Sequence, residues 1–226
     1  MANYLVTDTD LTSVADAIRT KGGTSAQLEF PDGFVSAVEE IETGGGTDYL
    51  AQRIQNTLTS YQSTDVTSVK GNAFRSASAL TSLSLPNVTQ ILGEAFYECG
   101  VTVFAFPKIT ALGSYAFDKA NKAVAIDFGP GLSALPLGGL ANCSALKTLI
   151  LRRASGVVSL ANLYAIDGSP FASGKSGGTL YVPSALIASY QAATNWSTIL
   201  GYTNNSIVAI EGSIYETQYA DGTPIS

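Results

Sequence analysis

The chain contains no histidine. That absence removes the imidazole on which Ser-His-Asp and Cys-His catalysis and the common zinc sites depend. Cysteine is nearly absent too, with only Cys99 and Cys143 in 226 residues, so no disulfide framework builds this fold. Charged residues make up 13% of the chain, about half the ~25% usual for a soluble domain. The formal net charge of −6 argues against nucleic acid as a partner. No apolar run approaches the ~20 residues of a membrane-spanning helix, so no membrane insertion is expected. The opening "MANYLVTDTD" has neither a basic region nor an apolar run. We therefore expect no secretory signal and synthesis in a cytoplasm. Carboxylates offer little in place of histidine. Asp127 falls on an expected strand, but no second carboxylate takes a matching position for general acid/base work. "GKSGGT" at 174–179 lacks the spacing of a phosphate loop, because Gly168 stands one residue too far upstream. These absences together predict binding rather than catalysis, with no cofactor and no metal.

What the sequence does have is a repeat. Phe74, Phe96, Phe117, Leu140 and Phe171 are anchors at a nearly fixed distance from paired apolar residues. Those pairs are Leu83/Leu85, Phe104/Phe106, Ile126/Phe128, Leu149/Leu151 and Leu180/Val182. Five residues before the anchors stand Val69, Ile91, Leu112, Leu135 and Ile166. A pair spaced by two sends both side chains to one face of a short strand. One unit cannot bury its apolar residues alone, whereas stacked units bury a continuous core. The expected fold is therefore α+β: a solenoid of about five units over residues 66–184, its parallel strands at ~4.8 Å spacing. Cys99 and Cys143 follow their anchors in a column otherwise filled by Ala77, Ala120 and Gly174. Two turns apart, or ~10 Å, they are too distant to bond, so both are expected reduced and buried.

"VTSVKGNAFRSASALTSLSLPN" and "VTQILGEAFYECGVTVFAFPK" resemble the BspA-like leucine-rich repeats, and "SPFASGKSGGTLYVPSALIASYQAATNW" resembles the closing unit of such arrays. The fourth unit departs, with Leu140 for Phe and "LPLGGL" for the usual "IGxxAF". Residues 1–43 form a separate segment. Leu11, Val14, Ala15 and Ile18 fit one helix face, and Phe34, Ala37, Val38 and Ile41 fit another, across a turn containing Pro31. "LTSVADAIRTKGGTSAQLEFPDGFVSAVEEI" resembles an N-terminal motif of bacteriophage tail-associated virion proteins. The resemblance implies a helical hairpin that anchors the chain in a particle, through contact with other virion proteins.

Residues 44–65 read as a linker, "TGGGTD", followed by a short helix with Leu50, Ile54 and Leu58 in line, the N-terminal cap of the solenoid. Residues 185–226 read as a helix capped by Ser184 that closes the other end, then a strand at "IVAIEG" and a tail rich in tyrosine. Tyr202, Tyr215 and Tyr219 predict that this tail docks. Lys147, Arg152 and Arg153 form a basic cluster read as a solvated edge.

Strand alternation puts Ser82, Ser84, Val103, Ala105, Ala125, Asp127, Thr148, Ile150, Thr179 and Tyr181 on the outward face of the ladder. One of them is charged. A small, neutral face suits close approach by another surface, so it is the candidate binding surface. The functional expectation is a virion protein, tail-associated, showing its repeat to a host-surface protein or glycan. A capsid decoration or head-fibre protein is the alternative, and a bacterial BspA-like surface adhesion protein a further one. Low surface charge also predicts a homo-oligomer.

Overall fold

A computed structural model describes residue 16, residues 56–173, residue 175, and residues 177–201 and 205–225. The chain divides into two compact units, Met1–Gln52 and Arg53–Ser226. The hairpin expected in 1–43, the linker, most of the helix expected after it and Tyr202 lie outside the described residues.

Twelve strands and few helices make up the described part of the second unit. In chain order the strands are β1 (Ser60–Gln62), β2 (Ser68–Val69), β3 (Ser82–Ser84), β4 (Gln90–Ile91), β5 (Val103–Phe106), β6 (Ala111–Leu112), β7 (Ala125–Phe128), β8 (Ala134–Leu135), β9 (Thr148–Leu151), β10 (Ser159–Leu160), β11 (Thr179–Val182) and β12 (Ser206–Ala209). Two helices, α1 (Ile187–Ala192) and α2 (Trp196–Leu200), lie between β11 and β12. Among the described residues no helix is long and apolar enough to cross a membrane.

The strands pair in parallel. A five-stranded sheet runs β12-β11-β9-β7-β5, and β1 pairs with β3. Its register sets Phe104 on Ile126, Ile126 on Leu149, Leu149 on Leu180 and Leu180 on Ile207. The apolar pairs of the sequence repeat therefore stack on one another. The shorter strands form a second set of ladders, β2-β4-β6 and β8-β10. These bring Val69, Ile91, Leu135 and Leu160 inside. The core lies between the two sets, with the anchors at its third side.

Four of the five anchors sit in a tight turn bonded to the next unit, whereas the Phe171 N–H donates to the Ser169 hydroxyl. The Phe74, Phe96, Phe117 and Leu140 N–H groups donate to the carbonyls of Ala95, Ala116, Gly139 and Ala165 at 2.7, 2.7, 3.0 and 2.8 Å. Two residues before these anchors, Asn72, Glu94, Tyr115 and Gly138 have positive φ; two residues after them, so do Ser76, Glu98, Lys119 and Asn142. For the non-glycine residues this conformation costs on the order of 1–3 kcal/mol each, and the inter-unit bonds and buried rings offset it. Phe96 stacks on Phe74 at 5.3 Å and on Phe117 at 5.1 Å, while Phe104 meets it edge-on at 5.1 Å. Close approach of the strand turns also demands glycine. A Cβ at Gly129 would lie 1.8 Å from the Pro107 carbonyl oxygen.

Two boundaries differ from the sequence reading. The ladder begins one unit earlier than residue 66. Tyr61 pairs with Leu83 and Leu58 is buried, so residues 58–62 are a rung and not a cap. At the other end the helices do not terminate the stack, because β12 adds a further strand beyond them. Ser184 makes no side-chain cap; it starts a 3-10 turn, and α1 begins at Ile187. The helices instead seal a sheet edge with side chains. The Tyr190 hydroxyl accepts from the Val158 N–H at 3.0 Å, and Trp196 Nε1 donates to the Val158 carbonyl at 2.6 Å. Asn195 donates to the Leu160 carbonyl at 3.2 Å. Backbone groups left without a neighbouring strand at β10 are thus satisfied, as buried polar groups must be.

Candidate functional site

Strand alternation carries the ten candidate residues to the side of the ladder opposite the core, but they do not form one open face. Ser82 and Ser84 are exposed, and Val103 and Ala105 are half-buried. Thr148, Thr179 and Tyr181 are half-buried as well. Ala125, Asp127 and Ile150 are buried, the last two completely. The expectation that these three face outward into open space is therefore corrected. The cause is the C-terminal tail, which returns across β7, β9 and β11 and covers the middle of the face.

A buried ion pair holds the tail there. Asp127 lies on β7 and Arg152 directly follows β9, whose Leu151 pairs with Phe128. Arg152 Nε and Nη2 donate to the two Asp127 carboxylate oxygens, each at 2.8 Å. The side chains are 9% and 0% exposed. The same guanidinium donates outward to the carbonyls of Tyr215 at 2.8 Å and Gln218 at 2.9 Å. Asp127 Oδ2 also accepts the Ala220 N–H at 2.9 Å. Burial pushes the Asp127 carboxyl above its ordinary value, against the downward pull of Arg152 and of the Ala220 N–H. Two aromatic contacts complete the dock. Tyr215 meets Tyr181 edge-on at 4.8 Å, and the Tyr219 ring lies 4.8 Å from the Arg152 guanidinium carbon.

The tail is locally ordered by its own sequence. The Ser213 hydroxyl accepts the Tyr215 N–H and opens a 3-10 turn, Ile214–Glu216. Tyr219 N–H donates to the Thr223 carbonyl at 2.8 Å, closing a small turn at the end of the chain. Before it, Glu211 accepts the Ser184 N–H at 2.8 Å. Hydrogen bonds from its own backbone N–H and from Ser184 hold the Glu211 carboxyl below its usual value.

Arg152 was placed by sequence in a solvated basic edge; it is instead the centre of the dock. A signal existed, since an acid on one strand and an arginine just past the corresponding strand one unit later can pair. Docking of the tail was expected from its tyrosines, and Tyr215 and Tyr219 do make contacts in the dock; where it docks had no comparable signal, because the partners lie far apart in sequence.

Other surfaces carry less. On the anchor turns, Tyr97 is flanked by the Arg75 guanidinium at 4.0 Å and the Lys119 ammonium at 5.0 Å from its ring centre. An open cleft of about 240 Å³ is lined by Leu163, Tyr164, Ile166, Asp167, Ala172, Ser173 and Ile199. Asp167 is the one carboxylate among those lining residues. Among the described residues no three His, Cys, Asp or Glu side chains gather where they could hold a metal. Cys99 and Cys143 are buried and form no disulfide.

Residues 55–169 match the BspA type leucine rich repeat region in six copies. No curated protein and no solved structure matches the chain. The matched residues include the anchors from Phe74 to Leu140 and the strands from β1 to β10, and end before β11. With stacked apolar pairs, inter-unit turn bonds and a family match over more than half its length, the chain belongs to the BspA type leucine-rich repeat family.

Proposed function

We propose that this chain is a binding protein whose repeats form a solenoid, and that residues 1–43 anchor it in a bacteriophage virion, on the tail. The observation that carries the binding reading is the strand face. Its uncovered part, Ser82, Ser84, Val103 and Ala105, holds no charge. Its covered part already seats a segment of protein. A surface without ions meets a partner without the several kcal/mol that each unpaired buried charge would cost. The proposed contact of this face is a host-surface protein or glycan, and that of residues 1–43 is other virion proteins. The virion reading is supported by the likeness of "IRTKGGT" and "FPDGF" to tail-associated phage proteins. A capsid decoration or head-fibre role and a bacterial surface adhesin remain the alternatives.

Immunogold labelling with an antibody to the repeat separates them. Gold on the tails of purified particles is the expected result. Gold on capsids favours decoration. Gold on bacterial cells with none on particles overturns the virion reading. Deletion of residues 1–43 should remove the chain from particles while its repeat keeps its circular dichroism signal.

A further inference from the structure

The two charged residues of the site beneath the tail belong to the strand ladder and not to the tail. Asp127 and Arg152 are fixed by the parallel register of β7 and β9 and bond each other twice at 2.8 Å. What remains of the guanidinium and carboxylate faces outward, as two donors and one acceptor. They take the Tyr215 and Gln218 carbonyls and the Ala220 N–H, which are all backbone groups. The side chains recognised are two tyrosines, Tyr215 against Tyr181 and Tyr219 against Arg152. The rest of the segment bonds mainly to itself, as Gly212 N–H to Glu216 and Ile225 N–H to the Thr217 carbonyl. Ile214 is 66% exposed, and residues 216, 217 and 221–225 are exposed. The segment leaves β12 through Gly212, which has a φ of +78° and open space around it.

We propose that this is an exchangeable peptide-docking site, filled by the chain's own residues 213–220 when it is alone and by the same residues of a second copy in an oligomer. A second copy carries the one segment that the structure already seats here. The strand that precedes Gly212 supports the exchange. β12 is the last strand of the five-stranded sheet, so a copy crossing at Gly212 has a sheet edge to meet. Exchange keeps every contact of the dock and adds the contact between copies. This inference concerns the dock alone and stands whether or not the chain is part of a virion.

Two full-length variants test it. Arg152→Ala keeps the tail and breaks the site; Tyr215→Ala/Tyr219→Ala keeps the site and weakens the tail. Each alone should be monomeric by sedimentation equilibrium, and their one-to-one mixture should form a dimer in which one intact tail fills the one intact site. Should Arg152→Ala fail to fold, Arg152→Lys keeps the charge while losing the forked geometry. As a second readout, a fluorescent peptide of residues 211–225 should bind the tyrosine variant at least about tenfold more tightly than the parent. In the parent the tethered tail competes at a high effective concentration. If both variants fold but the mixture stays monomeric and the peptide does not bind, the site is not a docking site. Peptide binding without a mixed dimer overturns the assignment to a second copy, and so does dimerisation of the tyrosine variant by itself.

Discussion

Replacing Arg152 by alanine should release the tail while leaving the repeat folded. The substitution removes two bonds to Asp127 and two to tail carbonyls. Hydrogen bonds from a charged donor contribute about 1.5–3 kcal/mol each, so the two tail contacts alone are worth roughly 3 kcal/mol or more. A change of that size shifts the docking equilibrium constant by about a hundredfold. Asp127 would otherwise remain a buried, uncompensated carboxylate, a loss of about 3–5 kcal/mol. Lifting the tail readmits water and relieves it, so both effects drive release. Chymotrypsin reads this directly, since Tyr215 and Tyr219 are cleavage sites within the dock; cleavage there should rise by up to about a hundredfold. Acid should partly reverse the loss. Burial raises Asp127 above its ordinary value while the tail is docked, and in that docked form the loss of Arg152 raises it further. The folded chain then holds the proton to higher pH than the unfolded chain. Ionisation lowers stability as pH rises through that window, and stability returns as pH falls through it. In an Asp127→Leu/Arg152→Met variant the buried charge is gone, so the melting temperature should recover while the tail stays cleavable. An Arg152→Ala chain that is digested and melts like the parent would refute the assignment of the ion pair as the latch.

Other outcomes follow from the core. Phe96→Ala removes a fully buried ring with stacked partners on both sides and should cost about 3–5 kcal/mol in chemical denaturation. Gly129→Ala places a methyl group against the Pro107 carbonyl and should cost about 1–3 kcal/mol by the same measurement. Burial pushes the Cys143 thiol up to about 12, so only about one in ten thousand is ionised at pH 8. Native protein should therefore resist maleimide at Cys143, and denatured, non-reduced protein should show two free thiols.

The periodic core was legible in the sequence because every unit needs the same apolar columns. The anchors, the stacked pairs and the small residues at Cys99 and Cys143 all follow from that period. The first rung was missed because Tyr61 matches Leu83 but Ser63 stands where the next unit has Leu85, so the apolar pair is incomplete. The last rung was visible as a strand at "IVAIEG". It was not placed in the ladder, because α1 and α2 lengthen the connection from β11. Ser184 looked like a cap because its residue type suits one, but the chain spends its first turn as 3-10 helix and starts α1 later. On the outward face, alternation gave the correct side for Ala125, Asp127 and Ile150. Alternation cannot say what covers a face, and here the cover comes from residues far along the chain that bond through backbone groups.

Photocrosslinking from the uncovered strand face tests the central claim most directly. A benzoylphenylalanine at Ser84, which is exposed on β3, is compared with one at Lys122, which is exposed on the loop after an anchor. Both are read in the native assembly. The account predicts a defined adduct to another protein or a second copy from position 84 and none from position 122. Adducts from position 122 alone would contradict it and place the binding surface on the anchor loops.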